Sequence, residues 1–332
     1  MLRKPKILVV GSFMMDLIAS TSRAPNSGES VIGIGFSTAP GGKGSNQAVQ
    51  CARLGADVTI VGKVGNDAFG KALIETDAST GVDVSRVLTD PEEPTGIAHI
   101  TLEISENGAQ NRITVCPGAN FKLTVDEVSW LKDEIGKYDL LMLQFELPMD
   151  VIEAVAQWAH DKGVIVMINP APAAPISDKL LACATYISPN EHEASILADH
   201  PIDVSDGINY DDVKAVAKAF QDRGVENLII TLGENGSVIA GKDGIHHTKC
   251  VKMPYVADPT AAGDSFVAAF CTALTAGLSQ KEALDFASHT AAITVSRKDA
   301  MPSLPTIDEV QELLRERRYR GFDPDILDTL KK

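Results

Sequence analysis

Residues 140–168 read LLMLQFELPMDVIEAVAQWAHDKGVIVMI. Two short apolar runs, at 140–143 and 164–168, flank an amphipathic segment over 150–161. Runs of that length, rich in branched side chains and bounded by Gly, Pro or Asn, predict buried strands, and the segment between them predicts a helix. The alternation continues along the chain. Further strands are predicted at 7–10, 58–61, 185–187 and 228–231, and further amphipathic segments at 210–223 and 279–295. Together they predict an α/β fold, a doubly wound and mostly parallel sheet with helices on both faces.

Two regions break this rhythm. Residues 16–21 and 31–38 read as short strands, and so do 95–104 and 112–116, the latter pair joined by a turn at Asn107-Gly108. Four strands without intervening helices do not fit a doubly wound body. They predict a small sheet, drawn from about 14–40 and 95–117, that projects as a lid over the carboxyl ends of the main strands, where α/β ligands bind. The bland alternative is a pair of surface hairpins. In the 95–104 strand Ala98, Ile100, Leu102 and Ile104 share one face while Ile97 and Thr101 lie on the other. A thin sheet with two partly apolar faces predicts a partner on its outer face. The whole chain, 1–332, reads as one domain with this appendage.

Composition narrows the function. The net charge is −15, with no basic stripe beyond a short arginine cluster at 315–320, which argues against nucleic acid as the partner. Five cysteines with no C-x-x-C pair read as reduced thiols in a cytoplasmic protein, neither a disulfide framework nor a zinc site. The amino-terminal apolar run is too short for a signal-peptide core, and no stretch is long enough to span a bilayer.

Three segments carry chemistry. Asp258-Pro-Thr-Ala-Ala-Gly-Asp264 precedes an apolar helix predicted over 267–276. Small residues at a helix start leave amides open to an anion, so Ala262, Gly263 and Asp264 form a candidate anion hole. The Asp264 carboxylate in the same turn is a candidate base; alternatively it only caps the helix. Pro40-Gly-Gly-Lys43-Gly-Ser-Asn46 opens a helix running to Leu54. It has neither the Walker A spacing nor the dinucleotide fingerprint. Its glycines permit close backbone approach, and Lys43 and Asn46 can donate to hydroxyls; the bland reading is flexible punctuation. In Ser188-Pro-Asn190-Glu-His-Glu193, Asn190 and Glu193 share one face of a first helical turn. They suit a hydrated Mg²⁺ or, equally, make an ordinary capping pair. His192 and the His246-His247 pair have no partner at ligand spacing.

In this order the three segments resemble the ribokinase-like family of sugar and nucleoside kinases, over nearly the whole chain, from Ile7 to about Pro305. The G-G-K-G-x-N pattern is more typical of its ribose-specific branch, whereas D-x-T-A-A-G-D and N-x-x-E are family-wide. The resemblance implies phosphorylation of D-ribose at O5 by MgATP, a homodimer formed through the lid, and K⁺ as an activator. It assigns Asp264 as base and Ala262 and Gly263 as anion hole. It places Asp16, Gly42, Lys43, Asn46, Glu146 and Asp264 on the sugar, and Asn190 and Glu193 on Mg²⁺ through water. Asn190, Thr231, Gly233, Gly236, Gly263 and Ser288 fall to the nucleotide. Asp258, Thr260, Thr294, Arg297, Asp299 and Ser303 fall to the monovalent cation. Three departures stand out. Met14 stands where bacterial members carry a sugar-contacting Asn, and Asp299 replaces a Gly of the cation loop. The tail beyond Arg318 has no family counterpart. The rival readings are a kinase for another sugar or a nucleoside, and a catalytically silent sugar-binding protein on the same fold; an NAD-dependent dehydrogenase lacks its phosphate fingerprint.

Overall fold

The computed structural model describes residues 2–105, 108–205, 207–242 and 244–331. Its strands, in chain order, are β1 (Lys6–Val10), β2 (Met14–Thr21), β3 (Gly35–Gly41), β4 (Asp57–Gly65), β5 (Asp83–Asp90), β6 (Ile97–Ser105) and β7 (Gly108–Cys116). They continue with β8 (Leu140–Gln144), β9 (Ile165–Asn169), β10 (Tyr186–Ile187), β11 (Asn227–Thr231), β12 (Ser237–Gly241) and β13 (Gly244–Thr248). Nine form one sheet in the order β13-β12-β11-β10-β9-β8-β1-β4-β5, parallel except at the β11-β12-β13 end.

Alternate residues of the central strands feed two separate cores. Ile7, Val9, Leu140 and Met142 pack toward the helices Lys43–Arg53, Ala262–Ala276 and Gln280–Val295. Leu8, Val10, Leu141 and Leu143 pack toward Met149–Asp161 and Tyr210–Asp222 on the opposite face. Burial on both faces is why these strands read as continuous apolar runs without alternation.

The other four strands make a separate sheet, β3-β2-β6-β7, in which β2 and β6 run parallel. Its third element differs from expectation: β3 covers Gly35–Gly41, not 31–38. Pairing with β2 runs from Ser20↔Gly35 to Met14↔Gly41, so the first residues of the glycine-rich segment are strand and Ile32 and Ile34 lie outside it, exposed. Asn107, of the expected hairpin turn, lies outside the described residues.

Register also decides which face is bare. Asp16, Ala98 and Val115 are cross-strand neighbours, as are Ile18, Ile100 and Ile113. The exposed Ile113 and Val115, together with Ile104, therefore share the face that carries Asp16. The larger apolar set lies on the inner face, an assignment that alternation alone left open.

The carboxyl-terminal tail is part of the core. A 3₁₀ segment, Pro324–Leu330, buries Leu327 and Leu330 in the same cluster as Phe270, and Gln311 Nε2 donates to the Pro324 carbonyl at 2.8 Å. A Cβ on Gly55 would stand 2.2 Å from the Leu330 carbonyl oxygen, so only glycine admits the tail there. No helix among the described residues is long and apolar enough to cross a membrane.

Candidate active site

The polar residues that matter lie at or just past the carboxyl ends of β1, β8, β9, β10 and β11, the edge where α/β sheets bind ligands. They are Ser12, Gln144 and Glu146, Asn169, Ser188 and Asn190, and Thr231.

The glycine-rich segment is shaped by backbone packing. Gly42 has φ 95°, and a Cβ there would fall 2.7 Å from the Met14 nitrogen. A Cβ on Gly44 would fall 2.4 Å from the Ser12 nitrogen. These glycines thus let the start of helix Lys43–Arg53 press against the β1–β2 connection, which brings Lys43 and Asn46 to the sheet edge. Gly41 faces Asp16: its Cβ would lie 3.1 Å from a carboxylate oxygen. No side chain caps the helix from its own N-cap position. Glu146 does so from the end of β8, accepting from the Lys43 amide at 3.0 Å and from the Ser12 hydroxyl.

Asp264 sits inside a helix, not before it. The helix begins at Ala262 and is preceded by Ala261 at φ 60°, with no side-chain cap. The capping role for Asp264 is therefore excluded, and its buried carboxylate turns elsewhere. One oxygen accepts from Asn46 Nδ2 and the other from Gln47 Nε2, both at 3.0 Å. Gln47 also donates to Asn169 Oδ1 at 3.0 Å and accepts from Gln144 Nε2 at 2.6 Å. This chain of buried amides ties the base candidate to three other elements and sets its orientation. Of the three expected anion-hole amides, that of Ala262 already donates to the Pro259 carbonyl at 3.2 Å. Those of Gly263 and Asp264 meet no acceptor among the described residues, as befits a helix's second and third positions.

Asn190 and Glu193 form a complete capping box. Asn190 Oδ1 accepts from the Glu193 amide at 2.8 Å, and Glu193 Oε2 accepts from the Asn190 amide at 2.9 Å. Both still line the cavity that Lys43, Gly263 and Asp264 enclose, about 220 Å³ in volume. It abuts a second cavity of about 420 Å³ lined by Thr231, Gly233, Gly236 and Ser288 among others; Asn190, Thr231 and Gly263 border both. Gly236, at φ 90°, is required because a Cβ would stand 2.1 Å from the Thr248 carbonyl oxygen. Beside the anion hole two loops are stapled together: the Ala257 amide donates to the Val295 carbonyl at 2.8 Å, and the Asp299 amide to Asp258 Oδ2 at 3.2 Å. Asp299 takes the left-handed conformation, φ 68°, that a glycine would supply freely. Thr294 bonds Ser265 and Ser303 bonds the Ala300 carbonyl through their hydroxyls, while the Thr294 carbonyl takes the Arg297 amide.

Charge is unbalanced here. Asp16 is pushed up to about 7 by burial and then by Glu146, Asp299 and Asp264. Burial likewise raises Glu146 and Glu193. For Lys43 burial works against the charge, but Asp264, Glu146 and Glu193 outweigh it and hold the ammonium above its usual range. One lysine among these carboxylates leaves excess negative charge, which suits ligands that arrive with cations or as neutral polyols.

Of the sequence-predicted groups, Lys43, Asn190, Glu193, Thr231, Gly233, Gly236, Ala262, Gly263, Asp264 and Ser288 line the two cavities, whereas Asn46 and Glu146 reach them through Asp264 and the Lys43 amide, and Asp16 and Gly42 lie outside both linings. Sequence reasoning missed Ser12, Gln47, Gln144 and Asn169. Their one signal was position, a polar residue at the end of an apolar strand or inside a helix's first turn.

Residues 4–307 match the model of the pfkB family carbohydrate kinases. A ribokinase of Schizosaccharomyces pombe is 39% identical over 314 residues, 92% of this chain and 96% of that protein. One of Haemophilus influenzae is 39% identical over 310 residues, 93% of this chain and 98% of that protein. The solved Arabidopsis thaliana ribokinase complexed with ribose and ATP superposes with a TM-score of 0.84 at 32% identity, covering 94% of this chain and 99% of that one. The chain belongs to the pfkB family of carbohydrate kinases.

Proposed function

We propose that this protein is a ribokinase, transferring the γ-phosphoryl group of ATP to O5 of D-ribose. The observation that carries the reading is the placement of Asp264. Its carboxylate is oriented by Asn46 and Gln47 on the sugar side, while the free amides of Gly263 and Asp264 open at the junction of the two cavities. The names of the relatives support ribose as the acceptor.

In this reading the sugar lies at the Lys43–Asp264 end of the smaller cavity, reaching beyond its lining to Asp16, Asn46 and Glu146, which meet its hydroxyls with Lys43. Asp264 accepts the proton of the attacking 5-hydroxyl, and the Gly263 and Asp264 amides face the charge that builds on the transferring phosphoryl oxygens. Positioning and charge stabilisation account for most of such a transfer. Asn190 and Glu193 present oxygen donors only, fitting Mg²⁺; already paired in a capping box, they would hold it through water, and the ion supplies neutralisation of phosphate charge. The Asp258–Thr260 and 294–303 loops would hold K⁺ largely through carbonyls; the left-handed Asp299 supports an intact loop. The small sheet serves as lid and as homodimer contact, its bare Ile113 and Val115 covered by a second copy, in a cytoplasmic enzyme.

The test is ADP release, followed by a coupled assay, against a panel of ribose, 2-deoxyribose, fructose and adenosine. Ribose should give the highest kcat/KM. A higher value for another acceptor would move the chain within the family, and ribose binding without turnover of any acceptor would make it a silent binder.

A further inference from the structure

The larger cavity has a lining of two kinds. Its polar and charged lining is Asn190, Glu191, Thr231 and Glu234, of which Asn190 and Thr231 also border the smaller cavity together with Gly263, where phosphates and ribose belong. The rest is largely apolar: one face of helix Gln280–Val295 supplies Ser288, Ala292 and Val295, joined by Val251, Val256 and Phe266, and Ser288 is the one hydroxyl side chain among them. Ser288 is buried on helix Gln280–Val295, and its hydroxyl has no hydrogen-bond partner among the described residues. Part of this lining is open, since Val256 is 66% exposed and the adjoining Tyr255 65%, so the rim of a bound base stays in contact with water.

This wall offers a purine little to read. A hydroxyl rotates to serve as donor or acceptor, so Ser288 can meet a 6-amino or a 6-oxo group equally well. Sites that discriminate by buried, fixed hydrogen bonds reject the wrong partner by roughly 10⁴-fold or more, whereas apolar pockets rarely exceed about 200-fold. We infer that the base wall centred on Ser288 makes this kinase tolerant of its purine, so that 6-oxopurine nucleoside triphosphates serve as donors alongside ATP. The inference rests on the ribokinase reading and names the donor class of that same site.

ATP and ITP differ only at the 6-position and its adjoining ring nitrogen, which makes them the direct comparison, with GTP as a second 6-oxopurine. With ribose as acceptor, kcat/KM for ITP and for GTP should lie within about 200-fold of that for ATP. A larger preference for ATP overturns the inference. Ser288→Ala should lower kcat/KM for ATP and ITP together and leave their ratio within about threefold; a ratio that moves tenfold or more would mean the hydroxyl already selects between them. Calorimetric titration with ADP and IDP, without sugar, reads the same ratio without turnover and guards against a variant that folds but loses rate. Activity with ATP alone sinks this inference and spares the kinase reading; inactivity on ribose with every donor, despite ADP binding, sinks the kinase reading.

Discussion

Replacing Asp77 with Asn should stabilise the protein at alkaline pH and not at acid pH. Asp77 lies on helix Ala68–Ser79, fully buried; one oxygen accepts from Ser45 Oγ at 2.7 Å and the other has no partner. Burial pushes its carboxyl up to about 7 from 3.8, and the Ser45 bond offsets only part of this. A raised acid binds its proton more tightly folded than unfolded. Below the unfolded value both states are protonated and nothing is lost. Between that value and about 7 the unfolded chain ionises first, so stability falls as pH rises, and above 7 the whole loss is present. Roughly three units at about 1.36 kcal/mol each set the loss near 4 kcal/mol at pH 8. Asn keeps the acceptor for Ser45 but brings an amide group to the unpartnered position, at a cost of about 1–3 kcal/mol. The balance is a gain of roughly 1–3 kcal/mol at pH 8 and a loss of similar size at pH 4. Urea unfolding followed by circular dichroism at the two pH values measures both. Asp77→Asn less stable than the parent at pH 8 would refute the reasoning, because it would mean that the buried carboxylate is stabilised by something other than Ser45.

Three further outcomes follow from the site. With Asp16 held near 7 by burial and its acidic neighbours, half of it is protonated at neutral pH, so the KM for ribose should fall several-fold from pH 6 to pH 8 as the carboxylate becomes available to sugar hydroxyls; Asp16→Asn should abolish that slope, and a slope retained in the variant would assign it elsewhere. Turnover should be higher in potassium than in tetramethylammonium buffer at equal ionic strength, and Asp299→Gly should change the K⁺ concentration required more than the maximal rate; equal rates in the two buffers would remove the cation site. Light scattering at micromolar concentration should show a dimer, and Ile113→Asp, on the exposed inner face of the small sheet, should give monomers; a monomeric parent would contradict the lid contact.

What could be read in advance was what local chemistry determines. β1, β8 and β9 are apolar on both faces, and so stand out as runs. β5 and β13 are edge strands with Ser85, Arg86, His246 and His247 among their residues, and the same burial argument gives them no signature. Asp264, Lys43 and Asn190 stand in motifs whose spacing is local. Gln47, Gln144 and Asn169 act on Asp264 from chain positions far apart, and only the sheet brings them together. The extent of the helix at Ala262 was misjudged because two alanines and a glycine carry no apolar period; yet that boundary decides which amides are free. The bare face of the small sheet needed register, since alternation names two faces without saying which one bears Asp16.

The central claim is that Asp264 takes the proton of the acceptor hydroxyl beside two free helix amides. Asp264→Asn is nearly isosteric, and the measurement is its turnover on ribose and MgATP beside its ribose affinity by calorimetry. The account predicts turnover at least ~10²-fold lower, with ribose binding changed by no more than a few-fold. Near-normal turnover in a variant that still binds ribose would contradict it.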